Sequence, residues 1–221
     1  YLIIEKPSGL LVHPTLRGEE YTLVDALLNR YPVLRKVGDD PVRPGILHRL
    51  DKEVSGLMII PRNLTAFDHF KKQFKLRTID KEYQALVHGE IDKNSGLISF
   101  PIARSKGGKF VAMPIGSGKG KEAETEFQVL QRYLNFTLLK LKPLTGRTNQ
   151  LRVHLTAFDH PIVGDPLYQK SVKTTLKSPR ILLHATKITF TDLDGSTKTF
   201  ESPLPSVFQT VLTKLQPTQN S

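Results

Sequence analysis

The sequence has no cysteine and no tryptophan, and only two methionines in 221 residues. Without cysteine there is no disulfide, no thiolate nucleophile and no thiolate metal ligand, which fits a reducing compartment; a cytoplasmic location is expected. Long apolar runs are also missing. Nowhere do about 18 apolar residues follow one another, so no membrane-spanning helix and no membrane partner are expected. The seven histidines include no pair three or four residues apart, so no metal site can be read from them. Acidic residues are outnumbered, 21 against 32 Lys and Arg, for a net charge of +11 and a pI near 9.8. Such a surplus favours a polyanionic partner, because neutralising phosphates releases counterions. The acidic residues are interspersed, which describes a globular surface rather than a basic tail.

What is present suffices for a core: 38% of the residues are hydrophobic. The chain opens at Tyr1 inside an apolar run, with no initiator methionine, signal peptide or basic leader. A chain cut from a longer protein, or lacking its start, is expected. Leu2 to Ile4 reads as a strand closed by the turn Lys6-Pro7-Ser8-Gly9. Thr22 is placed to cap a helix over Leu23 to Asn29, with Pro32 ending it. A second helix is expected from Thr65 to Leu76, its Phe67, Phe70 and Phe74 spaced for a core rather than a binding face. Tyr83 to Ile91 alternates like a strand, with Tyr83, Ala85 and Val87 on one side. Glu122 to Lys142 carries a hairpin turning at Tyr133-Leu134-Asn135. Thr148 to Phe158 reads as a helix with Thr148 as its cap. Ile181 to Leu183, Ile188 to Phe190 and Thr197 to Phe200 read as late strands, with an Asp194-Gly195 turn before the last. A closing helix runs from Val207 to Leu215, capped by Ser206. Strands and helices mix without a βαβ rhythm, so an α+β fold with a mainly antiparallel sheet is expected. There is no internal repeat and no dividing linker; a single domain over 1–221 follows as the expectation.

One stretch organises the chemistry: His48-Arg49-Leu50-Asp51-Lys52-Glu53-Val54-Ser55-Gly56-Leu57-Met58-Ile59-Ile60. It sets the Asp51 carboxylate between the basic side chains of Arg49 and Lys52, then a turn, then an apolar run that must enter the core. A carboxylate on a loop feeding a buried strand is rigidly mounted yet faces outward, as catalytic groups usually are. The plainer alternative is an Asx-type turn ahead of Ser55-Gly56. Gly116-Ser117-Gly118-Lys119-Gly120 looks like a phosphate loop but fails on spacing: Met113 stands where the first glycine belongs, and Gly120 where Ser or Thr would hold magnesium. A basic loop touching RNA phosphates fits it better. A second basic cluster runs from Leu144 to Leu155. Arg147 precedes a helix N-terminus, a natural anion site, and Arg152 lies beside the apolar stripe. A buried Arg152 would need a carboxylate partner; a solvated surface arginine is the alternative.

His48-Arg49-Leu50-Asp51 with Ser55-Gly56-Leu57, and Gly146-Arg147-Thr148 with Gln150-Leu151-Arg152-Val153-His154, resemble the RluA-type pseudouridine synthases, which isomerise uridine in ribosomal and transfer RNA. Lys6-Pro7-Ser8-Gly9-Leu10, Val12-His13-Pro14, Lys81-Glu82-Tyr83, Gly118-Lys119 with Glu122-Ala123-Glu124-Thr125, His160-Pro161, Gly164-Asp165-Pro166-Leu167-Tyr168 and Leu183-His184-Ala185 extend the match over nearly the whole chain. The resemblance implies Asp51 as the catalytic aspartate and Tyr83 as a platform for the uracil. It implies Arg152 paired with Asp51, Arg49 filling the gap left by a flipped base, Arg147 on RNA phosphate, and Leu183 lining the pocket. It implies no redox, metal or nucleotide cofactor, and a monomer whose partner is RNA, ribosomal before transfer. Many members carry a small N-terminal RNA-binding domain, which this chain is expected to lack. Asn149 stands where the family usually has His, Val54 where Thr is common, and Gln169 where Gly is frequent; altered tuning rather than lost chemistry is expected.

Overall fold

The computed structural model describes residues 1–14, 21–169 and 176–218. In chain order the elements are β1 (Leu2–Lys6), α1 (Leu23–Arg30), β2 (Ser55–Ile60), α2 (Leu64–Leu76) and β3 (Asp80–His88). There follow β4 (Ser95–Ile98), β5 (Ile102–Arg104), β6 (Phe110–Ala112), β7 (Thr125–Tyr133) and β8 (Phe136–Pro143). The last are α3 (Gln150–Ala157), β9 (Leu183–Thr191), β10 (Thr197–Glu201) and α4 (Ser206–Leu212). The fold is α+β. The pairs β1–β2, β9–β10, β3–β8, β7–β8, β4–β7 and β5–β6 are all antiparallel. The chain divides into two compact units, Tyr1–Lys81 with Ala185–Ser202, and Glu82–His184 with Pro203–Ser221. Two of its three boundaries fall inside β3 and β9, and the third lies between β10 and α4.

In the first unit, β2 is buried along its whole length, as its unbroken apolar run requires. Leu57 and Ile59 from β2, Ala66 and Phe70 from α2, and Ile188 and Phe190 from β9 form one core cluster. Phe70 meets Phe190 edge to face at 5.1 Å, so the α2 aromatics are core residues, as their spacing predicts. Both helices here start on side-chain caps. Thr22 and Asp25 close a reciprocal capping box on α1, and Asn63 Oδ1 accepts from Ala66 N at 2.8 Å to open α2. Gly56 is the tight point of β2. It has φ +126°, and a Cβ there would lie 2.4 Å from the Ala185 carbonyl oxygen.

In the second unit, β3 is buried on both faces from Ala85 to His88, so the alternation in its sequence does not mark a half-solvated strand. The β7–β8 hairpin turns at Asn135, whose positive φ of 65° a short polar side chain tolerates. Leu86, Phe136, Leu138, Leu182, Phe208 and Val211 build the main cluster of this unit. Two expected caps are displaced. Asn149, at φ 56°, precedes α3 instead of Thr148, because the Gln150 side chain pins the turn ahead of it. Pro205 precedes α4, and Ser206 is the first helical residue, since the extended proline backbone sets the entry. The expected strands at Ile181 and Ile188 resolve into β9 alone, with Leu182 bonded through its backbone to Leu86 and Val163 just before it.

Gly56→Ala is expected to destabilise the protein by about 3 kcal/mol or more, because backbone blocks both the added methyl and the strained φ. Urea unfolding measures this; a loss under about 1 kcal/mol would mean the strand relaxes freely.

Candidate functional site

The carboxylate loop is fixed from below by a buried lysine. Lys6 is fully buried at the end of β1, and its Nζ donates to the carbonyls of Pro7 and Leu10 at 2.7 Å and of Lys52 at 3.2 Å. A buried ammonium needs such oxygens, and here they come from the first turn and from the residue after Asp51. Gly9 N adds a bond to Lys52 O at 2.8 Å, and Ser8 Oγ donates to Glu53 O. Asp51 O accepts from Val54 N at 3.1 Å, closing the turn that leads into β2. Asp51 is partly buried on this clamped loop. Arg49 is exposed, and its Nη1 lies 3.2 Å from His13 Nε2. A guanidinium only donates, so His13 Nε2 accepts and its Nδ1 donates to Pro14 O at 2.9 Å.

His48 opens the loop as an acceptor: Ile59 N donates to its Nε2 at 3.0 Å, and its ring stacks on Phe74 at 4.6 Å. Burial, with a smaller contribution from the Lys81 ammonium, pushes its pKa down to about 3.

Arg49 and Asp51 belong to the first unit; Tyr83, Arg147, Arg152 and Leu183 belong to the second. Arg152 is 3% exposed on α3, which excludes the solvated alternative. Its Nε and Nη2 donate to Asp165 Oδ2 and Oδ1, each at 2.8 Å. The carboxylate partner that burial demands is therefore present in the same unit as Asp165, a residue to which the sequence assigned no role. Asp165 Oδ1 also accepts from Leu167 N at 2.8 Å and Tyr168 N at 3.0 Å, so one side chain caps a turn and holds a cation. The Asp followed by Pro166 was the available turn signal.

Arg147 is partly buried and its Nε donates to Glu122 O at 2.9 Å. The turn carrying it is held by Gln150, which sequence reasoning also passed over. Gln150 Oε1 accepts from Thr145 Oγ1 and Arg147 N, and its Nε2 donates to Glu124 O and Thr125 Oγ1. His154 is a core residue: Nε2 donates to Phe100 O at 2.9 Å and Nδ1 accepts from Thr125 Oγ1 at 3.0 Å, with burial lowering its pKa. Tyr83 is 8% exposed on β3 opposite Leu141, and Leu183 is 2% exposed at the start of β9. A groove of about 510 Å³ on this unit, lined by Ser95, Leu97, Phe127 and Lys140 among others, contains none of these six residues. Among the described residues no three His, Asp or Glu side chains gather as metal ligands, and no helix is long and apolar enough to cross a membrane.

Residues 1–157 match the family described as RNA pseudouridylate synthase. The chain is 37% identical over 211 residues to ribosomal large subunit pseudouridine synthase D of Nitrosomonas europaea, covering 92% of this chain and 59% of that one. It is 44% identical over 174 residues to an uncharacterized RNA pseudouridine synthase of Aquifex aeolicus, covering 75% and 52%. The solved structure of human RNA Pseudouridylate Synthase Domain Containing 1 superposes with a TM-score of 0.77 at 26% identity, covering 98% of this chain and 84% of that one. The chain belongs to the RNA pseudouridylate synthase family, and the RluA-type resemblance of its motifs is borne out. It spans between about half and two thirds of the length of the curated relatives it matches.

Two predictions arise here. Because the folded His48 titrates far below its unfolded value of about 6.5, its share of stability is intact above that pH and is lost as pH falls towards about 3. At pH 5 the loss should reach about 2 kcal/mol, and urea unfolding of His48→Gln should show that much less acid sensitivity than wild type. Equal pH dependence in the two would assign the acid sensitivity to other groups. Second, Arg152→Met strands the Asp165 charge and is expected to cost about 3–5 kcal/mol. Adding Asp165→Asn keeps an acceptor for the turn amides and should recover most of that loss; no recovery would mean the charge pair is not what the single substitution breaks.

Proposed function

We propose that this chain performs the chemistry of an RNA uridine isomerase, converting uridine to pseudouridine in ribosomal RNA. The observation that carries the reading is Asp51, a partly buried carboxylate on a loop clamped through Lys6, Ser8 and Gly9, in a family member with a net charge of +11. Asp51 attacks C1′ of the ribose or C6 of the uracil, or assists departure of the base; a bond it forms to C1′ breaks as C5 takes its place, and one to C6 breaks by elimination, freeing the carboxylate. The N1–C1′ bond breaks, the base turns, C5 bonds to C1′, and the hydrogen on C5 leaves while N1 gains one. No net oxidation occurs, and the reading assigns no metal or redox cofactor.

Reaching C1′ of a stacked nucleotide requires flipping it, at a cost of a few kcal/mol. Arg49, the exposed cation two residues before Asp51, fills the vacated space. Tyr83 supports the uracil face and serves proton removal at C5. Arg152 keeps Asp51 ionised and oriented, since an adjacent guanidinium favours the carboxylate; its Asp165 pair fixes one edge of that guanidinium. Arg147 holds RNA phosphate, and Leu183 lines the uracil pocket. The relatives named for the ribosomal large subunit support ribosomal before transfer RNA. Residues 1–221 act as one catalytic domain, as a monomer in the cytoplasm.

The test is tritium release from ribosomal and transfer RNA transcribed with 5-tritiated uridine. Wild type should release tritium from ribosomal RNA, and Asp51→Asn should lower the rate by at least about 1000-fold with RNA affinity nearly unchanged. Near-wild-type release by that variant would remove Asp51 from the chemistry. Binding without release by wild type, from either RNA, would favour a binding module that has lost the activity.

A further inference from the structure

We propose that Tyr168 is a positioning residue for Arg152, with Asn149 and Lys109 holding the tyrosine in place. The proposal rests on the reading that Arg152 orients Asp51. A carboxylate gripping Nε and Nη2 holds a guanidinium by one edge, and rocking of its plane about that edge is resisted by whatever packs on its face. The Tyr168 ring lies against the guanidinium, with the Arg152 Cζ 5.2 Å from its centroid. The negative face of an aromatic ring attracts a flat cation and resists that rocking.

Tyr168 is built in more firmly than packing alone needs. It is 4% exposed, in a cluster with Ile102, Ala123 and Val153. Its backbone N donates to Asp165 Oδ1 at 3.0 Å, so the ring and the carboxylate that flank Arg152 belong to one capped turn. Its phenol oxygen accepts from Asn149 Nδ2 at 3.0 Å. Lys109 Nζ is 4.5 Å from the ring centroid and donates to Leu167 O at 2.6 Å. Asn149 reaches the phenol from a left-handed backbone, φ 56°, which asparagine tolerates better than most side chains. Asn149, which departs from the usual family residue, thus has a definite task here: it fixes the height and tilt of the ring that supports Arg152.

The test uses the full chain, with the Arg152 Nε–H signal identified by nitrogen-15 NMR through its loss in Arg152→Lys. In wild type this proton should be ring-shifted and slow to exchange. Tyr168→Leu should abolish the ring shift and speed exchange by about ten-fold. Asn149→Gly keeps the left-handed backbone, removes the phenol's partner, and should speed exchange by about three-fold; it carries the test should the leucine variant not fold. In single-turnover tritium release, Tyr168→Leu should be slower by about ten-fold with RNA affinity within about two-fold, and the acid limb of its rate profile should move to higher pH as Asp51 is less firmly held. An unchanged Nε–H signal in the variants overturns the proposal whatever the rates. A slower rate with an unmoved acid limb overturns it too, leaving Tyr168 a core residue. Failure of the isomerase reading is seen separately, as wild type that releases no tritium while the Nε–H signal still decides the positioning.

Discussion

A cation taken out of water must be given oxygens, and this constraint is met in both units. Lys6 is enclosed by three backbone carbonyls, and Arg152 by the two oxygens of Asp165. The two solutions differ in what they fix. Carbonyls gathered around a point charge pull chain segments together, so Lys6 ties the turn after β1 to the backbone beside Asp51. A planar guanidinium accepts a carboxylate edge-on, so Asp165 defines a direction as well as a place. Replacing either cation by an apolar residue would take a donor from each of these oxygens, although Lys52 O would keep Gly9 N, and Asp165 Oδ1 the amides of Leu167 and Tyr168.

The polar interior of the second unit extends the same logic. Gln150, Thr145, Thr125 and His154 bond to one another and to backbone, holding the segment before α3 against β7. A side chain with two donors and two acceptor lone pairs can satisfy four groups at once, which is why a glutamine serves where a helix cap of the usual kind is missing. The left-handed Asn149 frees its own side chain for Tyr168. Local backbone choice thus reaches the environment of Arg152 through one amide and one phenol.

Family membership and geometry contribute different parts of the functional reading. The relatives name the reaction class and an RNA substrate for themselves, across about half to two thirds of their length. The geometry supplies what their names do not: a loop held by Lys6, an exposed Arg49 resting on His13, and an Arg152 held by the Asp165 carboxylate and faced by the Tyr168 ring. The strongly depressed His48 adds a chemical reason for the loop to be sensitive to acid, since its Nε2 must stay unprotonated to accept from β2.

The sequence by itself determined the longer elements but not the short strands β4, β5 and β6, and it determined the aromatic core face of α2, the Thr22 cap, the hairpin turn near Asn135 and the family. These rest on short-range rules, namely spacing along a helix, turn residues and contiguous motifs. It also required that a buried Arg152 have a carboxylate. Only the tertiary structure decided that Asp165, thirteen residues away and across a turn, meets this need within its unit. The same holds for Lys6 under the Asp51 loop, 46 residues distant, and for Gln150 in place of a Thr148 cap. The physical reason is common to all three: a charge or amide specifies how many partners it needs, but which atoms lie within 3 Å depends on how distant segments pack.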